Sequence, residues 1–158
     1  MRILLPVDSA DDNKLITDFV VNYKWPDNSA FKFLHVLGAM ATEDDYLKAE
    51  AESHKMLHRF AARLKRSIPT AHVTCEVSSG DPALEIISTA GQWMADIIVM
   101  GYRVRNDISG FLAGSVSKSV TYQAPCSVAT IRPRQVDPDH ASIYESEEYS
   151  GEMQMAAK

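Results

Sequence analysis

The sequence contains no apolar run near the roughly twenty residues that cross a bilayer. Its opening, Met1-Arg2-Ile3-Leu4-Leu5-Pro6-Val7-Asp8, meets an acidic residue too early for a secretory leader. Together these features put the expected location in the cytoplasm, with no membrane partner. Cysteine is scarce: Cys75 and Cys126 are the two present, and neither lies in a CxxC or Cys/His spacing. A disulfide framework and a zinc site are therefore excluded, and both thiols read as reduced core residues. A basic surplus is missing as well, with 16 Lys+Arg against 21 Asp+Glu, so the footprint of a nucleic-acid binder is absent. There is no Gly-x-Ser-x-Gly elbow, no GxxxxGK[ST] loop and no HExxH pair. His54 and His58 share a helix face, but Lys55 follows His54, and the pair reads as a solvated face. No catalytic residue and no metal ligand is assigned.

What is present is a core. Hydrophobic residues make up 46% of the 158, enough to fold one domain. The net charge of -5 is concentrated at one end: residues 137–158 hold six carboxylates against Lys158, and the rest is neutral. Residues 1–134 read as one α/β domain. Residues 135–158 read as an acidic tail without apolar period, expected to be disordered.

Short apolar runs alternate with helical patterns along that domain, as in a parallel sheet with crossover helices. Residues 3–7 form a continuous apolar strand, the mark of one covered on both faces. Asp11 or Asp12 is expected to cap a helix carrying Leu15, Ile16, Phe19, Val20 and Tyr23. Residues 25–28 turn, and 31–37 make a second strand in which His35 reads as a satisfied core histidine. A long helix follows from about Thr42 to Arg66, acidic at its start, basic at its end and stopped by Pro69. Residues 72–77 form a third strand. Gly80-Asp81-Pro82 opens a helix whose buried side is Leu84, Ile86, Ile87, Ala90 and Trp93. Residues 95–101 make the fourth strand, a helix opens at Gly114-Ser115, and 127–132 make the last strand. The expected fold is an open, doubly wound, five-stranded parallel sheet flanked by four helices. Ligands of such sheets lie beyond the carboxyl ends of the strands, where the strand order reverses.

Residues 100–120 carry the one segment with chemistry. A glycine, Gly101, closes a buried strand, and after a loop Gly114-Ser115 opens a helix. Close backbone approach, free amides and the helix dipole suit an anion there, although the same residues serve as ordinary turn and cap. The stretch resembles the nucleotide loop of the universal stress protein family, Gly-x2-Gly-x9-Gly-Ser/Thr. Gly101, Gly114 and Ser115 keep the spacing, and Val104 replaces the middle glycine. The resemblance covers about residues 1–133. It includes residues 3–8, Leu34-His35-Val36, Gly80-Asp81-Pro82, residues 96–101 and Ala124-Pro125-Cys126-Ser127-Val128.

The resemblance implies a Rossmann-like, adenine-nucleotide alpha-hydrolase-like fold and a stress-response protein that binds ATP or AMP, with Mg2+ or Mn2+ as accompanying ion. By position it gives Asp8 the adenosine part and Val36 the base. Gly101, Val104, Gly114, Ser115 and Val116 then fall around the phosphates. It also implies a homodimer through residues 127–132, acting on further protein partners. If position 104 needs a positive φ, its valine costs on the order of 1–3 kcal/mol. Arg103 and Arg105 could offset this by pairing with phosphate. Two alternatives stand beside this reading: an interaction module with an empty pocket, and a slow ATP hydrolase for which no residue stands out as base. A pyrophosphatase-type relative would need a Ser-Gly-Gly-rich loop where Asp8-Ser9-Ala10-Asp11 stands.

Overall fold

The structure is a computed structural model that describes residues 1–8, 10–101 and 115–132, with backbone alone for 10–13. Among the described residues, strands and helices alternate as β1 (Arg2–Pro6), α1 (Ala10–Asn22), β2 (Ala30–Leu37), α2 (Glu43–Ser67) and β3 (His72–Ser79). They continue as α3 (Pro82–Gln92), β4 (Ile97–Gly101), α4 (Ser115–Gln123) and β5 (Ser127–Ile131). Every pairing is parallel, and the order is β3-β2-β1-β4-β5. This is the doubly wound sheet that the alternation implies. The order reverses beside β1, whose neighbours are β2 and β4.

Alternating side chains divide the core between the two sheet faces. Ile3, Leu5, Phe31, Phe33 and Val99 pack with Ile16 and Val20 of α1 and with Leu57 and Leu64 of α2. Leu4, Leu34, Ile98 and Met100 pack on the other face with Ala83, Ile86 and Ala90 of α3 and Val120 of α4. Ile3, Leu4 and Leu5 are all fully buried, which explains why β1 has no polar alternation. An ion pair from Arg63 to Asp18 ties α2 to α1.

Local chemistry sets the helix ends. The Thr42 hydroxyl accepts from the Asp45 amide at 3.1 Å and donates to its carboxylate at 2.7 Å, and three acidic residues fill the first turn of α2. At α3, Oδ1 of Asp81 accepts from the Leu84 amide at 3.0 Å, and Pro82 occupies the first helical position. Gly80 lies between β3 and this cap with φ of +143°, a backbone that only glycine holds without strain.

Five sequence expectations shift. α1 begins at Ala10, so Asp11 and Asp12 lie inside its first turn rather than before it. Tyr23 follows α1 and is 53% exposed; its ring packs on Phe19 and Trp25 at the surface. Leu84 is 61% exposed, because the three- and seven-residue spacing from Ala83 to Ile86 and Ala90 takes the inward face. Strand β3 also runs two residues beyond the expected 77, and β4 begins at Ile97 rather than 95. No described helix is long and apolar enough to cross a membrane.

Candidate functional site at the carboxyl ends of β1 and β4

The pairing of β1 with β4 stops short of the strand ends for a reason visible in the backbone. The Asp96 amide donates to the Arg2 carbonyl, and the Val7 amide donates to the Leu34 carbonyl. Even-numbered residues of β1 thus direct their backbone groups to β4, and odd-numbered ones to β2. Beyond Leu4 the next nitrogen facing β4 belongs to Pro6, which has no hydrogen to donate. The β1–β4 register accordingly covers Ile3–Ile97 and Leu4–Ile98, whereas β1 and β2 stay paired through Pro6–Leu34. Open sheets of this kind take their ligands in the crevice beyond such a switch point, and here Asp8 follows β1 on one side of it and Gly101 ends β4 on the other.

The β2 bank is held more firmly. The Val7 amide meets the Leu34 carbonyl at 2.9 Å. Nδ1 of His35 lies 2.7 Å from the Val7 carbonyl oxygen. A carbonyl only accepts, so Nδ1 carries the hydrogen and donates. Asp8, which follows immediately, is exposed at the mouth. Val36 is partly buried against the α3 and α4 side of the core, opposite Ser78 in the β2–β3 register. The Ser78 hydroxyl is buried and has no hydrogen-bond partner among the described residues.

On the far bank Gly101 is the last residue of β4, opposite Ile131 of β5. Ser115 is exposed as the first residue of α4, and Val116 packs against the core cluster beneath. Val104 and Gly114 lie outside the described residues. The topology therefore brings Asp8 and Val36 together on the β1–β2 bank and leaves Gly101, Ser115 and Val116 to the β4–α4 side. Sequence reading expected a satisfied core histidine at 35, and the bond to Val7 satisfies it. Its bond to the neighbouring strand was accessible only through the register, which sets His35 one position beyond the Pro6–Leu34 pair.

Other polar groups stand apart from the crevice. His54 and His58 stack at 6.4 Å on exposed α2, and no group of three or more metal-ligating side chains occurs among the described residues. Cys75 and Cys126 are free; burial pushes both thiols up, with Asp96 adding to the rise at Cys126. A cavity of about 160 Å³ lies at the opposite, amino end of the sheet, lined by Tyr23, Trp25, Ser29 and Ile68 among others. The Trp25 indole and Ser29 hydroxyl on its wall already donate to the Val20 and Pro26 carbonyls.

Known proteins share this fold. The sequence model of the universal stress protein family matches residues 1–132. A universal stress protein of Mycobacterium tuberculosis is 32% identical over 126 residues, covering 75% of this chain and 38% of its own length. This chain thus spans less than half of that relative. The universal stress protein UspA from Lactobacillus plantarum superposes with a TM-score of 0.66 at 26% identity, over 84% of this chain and 97% of its own. A universal stress protein family member from Arabidopsis thaliana with AMP bound superposes with a TM-score of 0.61 at 17% identity, over 85% and 92%. With a family match spanning both banks of the crevice and the strands beneath them, the chain belongs to the universal stress protein family.

Proposed function

We propose that this chain is a stress-response protein of the cytoplasm that binds an adenine nucleotide, AMP or ATP, in the crevice between β1 and β4. The observation that supports the reading is the end of the β1–β4 pairing before Pro6, at a switch point flanked in the topology by Asp8 and Gly101. The Arabidopsis relative with AMP bound supports the ligand class. In this reading Asp8 accepts from the ribose hydroxyls, and Val36 offers an apolar surface to the base. Ser115, at the amino end of α4, donates to phosphate where the helix dipole favours negative charge. A divalent ion, Mg2+ or Mn2+, accompanies the phosphates when ATP is bound.

The same reading includes a two-fold pairing through β5. Its outer edge, residues 127–131, is unpaired among the described residues, and Val128, Ala129 and Ile131 are partly exposed there. Sedimentation velocity across a concentration series tests it, and a monomer at every concentration counts against it. Calorimetric titration with AMP, ATP plus magnesium, and GMP tests the ligand. Saturable binding of the adenine nucleotides at one per chain is expected. Equal heats for GMP remove the base preference, and no heat at millimolar nucleotide leaves the protein-interaction reading in its place.

A further inference from the structure

The hydrogen bond from His35 sits where β1 has lost its support on one side. Pro6 cannot donate to β4, and beyond Leu4 the strand is paired with β2 alone among the described residues. The last backbone bond on that side is the Val7 amide to the Leu34 carbonyl, 2.9 Å long. The carbonyl of the same residue is taken by the His35 side chain at 2.7 Å. Val7 is therefore fixed at both of its backbone polar groups, one by the β2 main chain and one by a β2 side chain. The next residue is Asp8.

We propose that His35 is a positioning residue that fixes the carboxyl end of β1 and so sets where Asp8 stands at the mouth of the crevice. The link to nucleotide affinity rests on the function proposed above; the fixing of β1 does not. Phenylalanine at 35 keeps a flat ring in the strand and removes the donor. Asparagine keeps a donor at the same distance from the backbone, because its amide nitrogen is attached to Cγ as Nδ1 of histidine is.

Three readouts on the full chain test this. In the wild type, nitrogen NMR should find the neutral His35 ring as the Nδ1–H tautomer; the Nε2–H tautomer overturns the proposal without any variant. Hydrogen exchange at the Val7 amide should quicken about tenfold in His35→Phe, the factor carried by one neutral hydrogen bond, and return close to wild type in His35→Asn. Unchanged exchange in His35→Phe overturns it. AMP affinity should fall by a similar factor, about tenfold, in His35→Phe and recover in His35→Asn, which loss of packing alone would not produce. Wild-type protein that fails to bind AMP while the first two readouts hold refutes the nucleotide reading and leaves the positioning of Asp8 by His35 standing.

Discussion

Thr17 is 1% exposed in the middle of α1, and its hydroxyl has no hydrogen-bond partner among the described residues. Helical serines and threonines elsewhere in the chain solve the same problem locally. Ser53 donates to the Ala49 carbonyl at 2.6 Å and Thr121 to the Ser117 carbonyl at 2.7 Å. Thr17 has given up water without that return. Thr17→Val keeps the branched shape and nearly the same helix propensity, so the change isolates the hydroxyl. Relief of the desolvation cost should stabilise the protein by about 1–2 kcal/mol. For a chain of this size that raises the Tm by about 2–8 °C. Urea unfolding at constant m-value is the assay. Ser53→Ala is the control: a lost bond and a better helix former oppose each other, and the net should stay within about 0.5 kcal/mol. If Thr17→Val destabilises by about 1 kcal/mol or more, the hydroxyl has a partner and the reasoning fails.

Asp81→Ala removes the acceptor for the Leu84 amide and should cost about 1 kcal/mol in thermal or urea unfolding, with AMP affinity unchanged because α3 begins at the β3 edge. A shared loss of stability and affinity would place that cap in the site. Burial pushes the thiols of Cys75 and Cys126 up, so at pH 8 less thiolate is present than on a free cysteine. Both should therefore react with iodoacetamide more slowly than the urea-unfolded chain does, and faster labelling of either contradicts the assignment. Val104→Gly restores the family's glycine and should tighten AMP binding about tenfold by calorimetry. An unchanged affinity shows that valine is no obstacle there.

The fold was legible because its signals are local and repeated. The unbroken apolar β1 announced a strand covered on both sides, and Asp81-Pro82 announced the start of α3. Leu84 was misplaced because both it and Ala83 fit a helical period, and only packing against β2 and α4 decides between them. Asp8 and Gly101 could be named from strand ends alone. The early end of the β1–β4 pairing between them could not, since it depends on which way the Pro6 nitrogen points, a matter of parity fixed by pairing on both sides of β1. His35 was hidden for the same reason: its partner is distant in sequence and near only once β1 and β2 align.

Backbone amide NMR with AMP titrated into the full chain tests the central claim most directly. The account expects shifts concentrated at Asp8, Val36, Gly101, Ser115 and Val116, reduced together in Asp8→Ala. Shifts centred instead on the Tyr23–Trp25 and Ile68 cavity at the other end of the sheet, or no shifts at millimolar AMP, would contradict it.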